Sequence, residues 1–102
     1  MERWSKEQIR EKTKTNSHTA LYFYTPLCGT CQLASRLLEI TEKLVPHFHI
    51  GKADLNYMPE MAGKYGVESV PCLLIFKNGA LQEKIYAFES VTNLYDKLQQ
   101  HT

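Results

Sequence analysis

The feature that most constrains the fold is a pair of cysteines, Cys28 and Cys31, that separates two different kinds of segment. Residues 20–24 before the pair form an apolar run, which is typical of a buried strand. Residues 29–45 repeat apolar side chains at intervals of three and four, as an amphipathic helix does. The pair is therefore predicted to lie where a strand passes into a helix. Positions i and i+3 share one helix face, so the two thiols can close a disulfide with little backbone movement.

Length and composition predict a single domain over residues 1–102 and exclude several function classes. The chain has 102 residues, of which 43% are hydrophobic and 23% charged, and its net charge is +1. This balance provides no electrostatic basis for binding nucleic acid or a membrane surface. No apolar run approaches the roughly 20 residues that a membrane span needs, and the N-terminus is charged, so we expect a cytoplasmic protein.

The number and spacing of the cysteines favour chemistry over a structural framework. Three cysteines in a chain without a secretion signal do not suit a set of structural disulfides, so catalytic or metal-binding thiols are the main possibilities. There is one Cys-x-x-Cys, and Cys72 and the four histidines provide no second pair at zinc-finger spacing. We therefore predict no metal site. The remaining structural alternative is that Cys28 and Cys31 are reduced and pack as small hydrophobic residues.

The other patterns predict alternating helices and strands. Ser5 and Gln8 form a capping box at the first helix, and Trp4 and Ile9 are spaced as a hydrophobic staple. The predicted elements are a helix to residue 15, a strand at 18–24, a helix at 29–45, a strand at 48–55, a helix at 59–65, strands at 72–76 and 81–87 joined by Asn78-Gly79, and a last helix capped by Ser90. Helices between strands imply parallel crossovers. The prediction is an α/β fold, with a mixed central sheet, a C-terminal antiparallel hairpin and helices on both faces.

From residue 18 onward the chain resembles the thioredoxin family in three motifs, which occur in the family's order. They are Cys28-Gly29-Thr30-Cys31 after a strand, Lys64-Tyr65-Gly66-Val67 followed by Val70-Pro71, and Leu73-Leu74-Ile75-Phe76-Lys77-Asn78-Gly79. The resemblance implies a thioredoxin-like fold and a thiol–disulfide oxidoreductase of cell redox homeostasis, with a redox-active Cys28–Cys31 disulfide and no bound cofactor. It implies disulfide-containing proteins or small-thiol substrates and an electron donor of the thioredoxin-reductase type. We expect a monomer.

The position of the dithiol assigns a role to each cysteine. A thiolate at a helix N-terminus is stabilised by unpaired backbone N–H groups and by the positive end of the helix dipole, so Cys28 is predicted to be the nucleophile. It would attack a substrate disulfide to form a mixed disulfide. Cys31, one turn further along the helix, would then attack the sulfur of Cys28 and release the reduced substrate.

A second segment is predicted to bind the substrate. Pro71 resembles the family's cis-proline opposite the dithiol, whereas without the resemblance a trans proline at a strand start would be the expectation. If it is cis, the main chain at Val70 can pair with an extended substrate segment as one strand pairs with another. The predicted substrate-binding residues are Leu27, Gly29, Thr30, Val70 and Pro71.

The chain departs from the family's usual residues at four positions. Tyr22 stands where a buried aspartate usually lies beneath the resolving cysteine, and Lys52 matches the lysine usually near that acid. Leu27 replaces the tryptophan that commonly precedes the first cysteine, and Thr30 replaces the usual proline. These changes bear on the redox potential and on general reductase activity more than on dithiol chemistry itself. Tyr22 and Lys52 are therefore candidate modulators of the site.

Cys72, directly after Pro71, has two interpretations. It is either a small buried strand residue, since cysteine is commonly buried, or a third thiol near Cys28 that modulates the dithiol. The second interpretation leads to an alternative function, a non-catalytic binding or redox-sensing module on the same fold. In that module Cys28, Cys31 and Cys72 would bind a soft metal.

Overall fold

A computed structural model describes the whole chain, residues 1–102. In chain order the elements are β1 (Glu2–Arg3), α1 (Lys6–Thr15), β2 (His18–Tyr24), α2 (Gly29–Glu42), β3 (His49–Asp54), a 3-10 helix (Leu55–Tyr57), α3 (Glu60–Tyr65), β4 (Cys72–Lys77), β5 (Ala80–Ile85) and α4 (Val91–Gln100). The strands form one sheet in the order β1-β3-β2-β4-β5. None of the helices is long and apolar enough to cross a membrane.

The sheet is mixed, as predicted. Strand β3 pairs in parallel with β1 and β2, while β4 runs antiparallel to both β2 and β5. The β4–β5 connection is the predicted hairpin, whose turn holds Asn78 and Gly79 at φ 52° and 83°. The central strand β2 therefore has hydrogen-bonded neighbours on both sides, and its C-terminal end leads directly to the cysteines.

Side chains of β2 alternate between two cores, one on each face of the sheet. Ala20 and Tyr22 pack with α2 and α4, whereas Leu21 and Phe23 pack with α1 and α3. The first core contains Ala34 and Leu38 of α2, Leu94 and Leu98 of α4, and Leu73 and Ile75 of β4. The second contains Ile9 of α1, Met61 of α3, and Cys72, Leu74 and Phe76 of β4. The predicted helices on both faces are confirmed, and α2 and Cys72 belong to opposite faces.

Strand β1 was absent from the prediction. It has two residues, too short for a periodic pattern, and it forms because Trp4 anchors the N-terminal segment against β3. The backbone N–H of Trp4 donates to the Lys52 carbonyl at 2.9 Å. The indole ring lies over Gly51, where a Cβ would overlap the ring. The predicted capping box of Ser5 and Gln8 is present. The 3-10 helix was also not predicted.

Helix α2 ends at Glu42 rather than at the predicted residue 45. Residues 43–45 instead form i→i−3 turn hydrogen bonds, since Pro46 disfavours helical backbone at the residue before it. Three apolar residues of the predicted helix pattern, Leu33, Ile40 and Leu44, are more than half exposed. Other boundaries moved by one or two residues: β3 begins at His49, β4 ends at Lys77, and β5 spans Ala80–Ile85.

Candidate active site

The cysteines lie at the start of α2, which follows β2 in the chain after a short loop. Cys28 is the N-cap residue, in extended conformation, and its sulfur accepts a hydrogen bond from the Cys31 N–H at 3.1 Å. The two sulfurs form a disulfide, and the Cα atoms are 5.2 Å apart. The first N–H groups of a helix have no partner within it, so one of them is directed at the sulfur of Cys28. A thiolate on Cys28 would be stabilised by the same N–H group and by the helix dipole.

The two sulfurs differ in exposure. Cys28 is half-buried, whereas Cys31 is 3% exposed. The sulfur of Cys28 is therefore the one that an incoming disulfide can reach. The residues around it are open to solvent, and Leu27 is 100% exposed. Thr30 Oγ1 lies 3.4 Å from Cys28 Sγ and donates the hydrogen bond in the oxidised state, because a disulfide sulfur carries no proton.

The second predicted segment lies beside the dithiol. The Val70-Pro71 peptide bond is cis, as the family resemblance implied. The carbonyl oxygen of Val70 is 3.9 Å from Cys28 Sγ. Cys28 and Val70 are 42 residues apart in sequence. They meet because β2, which precedes Cys28, pairs antiparallel with β4, which follows Pro71.

The loop before Pro71 is held by two residues that sequence reasoning missed. Lys84 Nζ donates to the Gly66 carbonyl at 2.9 Å, and Tyr86 Oη accepts from the Glu68 N–H at 3.2 Å. Gly66 ends α3 with φ 65°, the left-handed conformation that glycine commonly adopts after a helix. Lys84 and Tyr86 are two residues apart at the end of β5, so their side chains point to the same side of the extended chain. No local sequence pattern predicts these two contacts, because the partner residues are 18 positions away in the chain.

Tyr22 lies beneath the first turn of α2, at the position where the resemblance implied a buried acid. Its side chain is fully buried, and its hydroxyl donates to the Cys31 carbonyl at 2.9 Å. The Ser35 hydroxyl is also 2.9 Å from Tyr22 Oη. Burial raises the pKa of Tyr22, while the hydrogen bond with Ser35 acts in the opposite direction. The residue is therefore a neutral phenol at physiological pH and supplies no base to Cys31.

Ser35 was not singled out from the sequence. The signal was available, because a residue four positions after Cys31 lies on the same helix face. Lys52 pairs in register with Tyr22 across β2 and β3. Its ammonium lies 5.7 Å from the ring centroid of Tyr24, which stacks on Tyr22 at 5.8 Å. Lys52 thus lies beside Tyr24, the ring that stacks on Tyr22 beneath the dithiol.

Cys72 is fully buried on β4, opposite Phe23. It belongs to the core between the sheet and helices α1 and α3, the face opposite to α2. Desolvation raises the pKa of Cys72 to about 11, although a hydrogen bond with Tyr86 opposes the shift. This placement agrees with the interpretation as a small buried strand residue. No three His, Cys, Asp or Glu side chains come together as a metal site, so Cys28, Cys31 and Cys72 do not form the site of the alternative function.

The arrangement defines a class of site. It combines an accessible sulfur at a helix N-terminus, a second sulfur one turn inside, and a main-chain carbonyl beside the first sulfur. Such a pair can exchange its disulfide with an external dithiol, since the outer sulfur can form a mixed disulfide that the inner sulfur then resolves. These are the properties of a dithiol–disulfide oxidoreductase.

Comparisons with known proteins agree. The sequence profile of the Thioredoxin family matches residues 2–100. The thioredoxin-like protein YusE of Bacillus subtilis is 48% identical over 80 residues, which cover 78% of this chain and 76% of YusE. Thioredoxin of the same organism is 34% identical over 80 residues, with 78% and 77% of the two chains covered. A mutant thioredoxin from Halobacterium salinarum shares the fold, with a TM-score of 0.90 at 24% identity, over 100% of this chain and 89% of that one.

The chain belongs to the thioredoxin family. With the Cys28–Cys31 pair in place, it is a thiol–disulfide oxidoreductase. The fold and the activity that the resemblance implied are both confirmed.

Proposed function

We propose that this protein reduces disulfides in other molecules, with Cys28 as the nucleophile and Cys31 as the resolving thiol. One observation carries the assignment of roles. The half-buried sulfur of Cys28 accepts the Cys31 N–H at the start of α2, whereas the sulfur of Cys31 is almost fully buried. The thiolate that is both stabilised and accessible is therefore that of Cys28.

The proposed reaction has two steps. The Cys28 thiolate attacks one sulfur of the substrate disulfide, forms a mixed disulfide and expels the other substrate sulfur as a thiolate, which takes up a proton. Cys31, as a thiolate, then attacks Cys28 Sγ, which forms the Cys28–Cys31 disulfide and expels the second substrate thiolate. The substrate gains two electrons and two protons. An external dithiol donor of the thioredoxin-reductase type returns the protein to its reduced form.

The substrate surface proposed around Cys28 consists of Leu27, Gly29, Thr30, Val70 and Pro71. Leu27 presents a fully exposed apolar side chain, and Gly29 has no atom within 4 Å of where a Cβ would lie, so this rim is open. The main chain at Val70 borders the sulfur and suits pairing with an extended segment of a protein substrate. We further propose that residues 1–102 act as one domain and a monomer, in the cytoplasm, with no bound cofactor.

The test is to trap the mixed disulfide. In Cys31→Ser the first step proceeds and the second cannot, so a disulfide substrate should remain bound through Cys28. Cys28→Ser should trap nothing and should lower the rate at which dithiothreitol reduces a protein disulfide to the rate without the protein. Cys72→Ala is the matched control, because it removes a thiol from the opposite face of the sheet and should retain turnover. Trapping through Cys72, or turnover by Cys28→Ser, would overturn the assignment.

A further inference from the structure

We propose that Tyr22 and Ser35 are positioning residues for Cys31, which they hold at the correct distance from Cys28 by fixing the first turn of α2. This inference rests on the proposed roles of the two cysteines and extends them. Tyr22 reaches from the sheet to the backbone of Cys31, and Ser35 reaches Tyr22 from the next turn of the helix. Neither side chain exchanges a proton with the sulfurs in this scheme.

The direction of each hydrogen bond follows from the groups involved. The Cys31 carbonyl can only accept, so the Tyr22 hydroxyl donates its single proton to it. The hydroxyl of Tyr22 then has no proton left for Ser35. Ser35 therefore donates to Tyr22 Oη, and the order Ser35 to Tyr22 to Cys31 is determined.

The anchor itself is rigid. Tyr22 is fully buried in the central strand, and its ring packs against Phe88 and Tyr24, with centroids 5.7 and 5.8 Å away. Its backbone lies between two paired strands, β3 and β4. A hydroxyl on such a support keeps the residue it bonds in place, whereas a serine alone would bond only within its own helix.

The position of Cys31 matters for two quantities. When Cys31 attacks Cys28 Sγ, one sulfur–sulfur bond forms, the bond from Cys28 to the substrate breaks, and the substrate leaves as a thiolate. The rate of this step depends on the effective concentration of the Cys31 thiol at Cys28. The equilibrium between the dithiol and the disulfide depends on the same effective concentration. Attack by Cys28 on the substrate does not, because Cys31 takes no part in it.

The experiment compares Tyr22→Phe and Ser35→Ala with a matched control. Thr41→Val also removes a buried hydroxyl that bonds a carbonyl of α2, that of Leu37 at 2.8 Å, but it lies far from the cysteines. Three quantities are measured. They are the rate of mixed-disulfide formation in a Cys31→Ser background, the rate of substrate release in single turnover, and the equilibrium constant for oxidation of the Cys28–Cys31 dithiol by glutathione disulfide. Release and the equilibrium constant should both fall about threefold to tenfold in Tyr22→Phe and Ser35→Ala, the effect of one lost hydrogen bond.

The other readings decide between positioning and general damage. Mixed-disulfide formation should change little, Thr41→Val should leave release and the equilibrium constant near the wild-type values, and Ser35→Thr, which keeps the hydroxyl, should restore both. Unchanged release in Tyr22→Phe and Ser35→Ala would overturn the proposal, as would an equal loss in Thr41→Val or in the first step. If Tyr22→Phe fails to fold, Ser35→Ala alone decides. If the Cys31→Ser protein forms no mixed disulfide through Cys28, the proposed function fails instead.

Discussion

The sulfur of Cys28 lies 3.9 Å from the carbonyl oxygen of Val70, so the thiol and the main chain that borders it belong to segments far apart in sequence. The distance depends on where the loop from Gly66 to Pro71 is held. Lys84 in β5 and Tyr86, the residue after β5, hold that loop through hydrogen bonds to Gly66 and Glu68. The accuracy of the site therefore depends on side chains that touch neither cysteine.

Replacing Tyr86 by Phe should loosen this loop. The Glu68 N–H and the Gly66 carbonyl each lose a hydrogen-bond partner. We expect KM for a protein disulfide to rise, while the reaction of Cys28 with a small disulfide reagent changes little. The free energy of unfolding should fall by about 1 kcal/mol. Steady-state kinetics and urea unfolding measure the two effects, and an unchanged KM would show that the loop does not need this anchor.

Replacing Leu27 by Ser should weaken binding of protein substrates only. Its side chain is fully exposed and contributes nothing to the core, so the melting temperature should not change. Loss of its apolar contact should lower kcat/KM for a protein disulfide by about threefold to tenfold, the range for burying a partly covered aliphatic side chain. Lys43→Ser, an exposed change at the far end of α2, is the control. Equal losses for protein and small disulfide substrates would contradict a binding role.

Cys72 should be unreactive in the folded protein. Its pKa of about 11 leaves almost no thiolate at pH 8, and the side chain is fully buried. In the reduced protein, iodoacetamide at pH 8 should therefore alkylate Cys28 and leave Cys72 unmodified until denaturant is added. Peptide mass mapping of each sample distinguishes the three cysteines. Early modification of Cys72 would show that β4 opens under native conditions.

Glu83 should make stability depend on pH. Hydrogen bonds from His101 and then Lys97 lower the pKa of Glu83 below its ordinary value of 4.5, and they tie β5 to the end of α4. Because the folded-state pKa is depressed, this stabilisation is present above the ordinary pKa and is lost as pH falls through the folded-state pKa. The site is partly exposed, so Glu83→Gln should cost only about 0.5 kcal/mol at pH 7. Urea unfolding over a series of falling pH values checks this, and the difference between the variant and the wild type should shrink as the pH falls below 4.5.

Two glycines should respond in opposite ways to alanine. A Cβ at Gly51 would overlap the indole of Trp4, whereas Gly63, within α3, has no atom within 4 Å. Gly51→Ala should therefore destabilise the fold by about 1 to 3 kcal/mol, because Trp4 or β1 must move. Gly63→Ala should stabilise it by about 0.5 to 1 kcal/mol through helix propensity. Thermal unfolding of both variants tests the pair, and a neutral Gly51→Ala would mean that Trp4 is free to shift.

Much of the site follows from sequence because its signals are local. The apolar run before Cys28, the periodic segment after Cys31 and the Asn78-Gly79 turn each lie within one element, so element order and the place of the dithiol could be predicted. The end of α2 was placed three residues too late, since apolar periodicity continues through the turn to Val45. Strand β1 left no pattern because it has only two residues.

By itself, the sequence determined which residues could carry the chemistry and that they stand at a strand-to-helix junction, because spacing along the chain controls both. Only the tertiary structure decided what supports them. The bond from Tyr22 to the backbone of Cys31, the contact of Ser35 with Tyr22, and the burial of Cys72 on the other face all depend on how the sheet stacks against its helices. Strand order and register bring distant residues into contact, and no pattern within a single element encodes them.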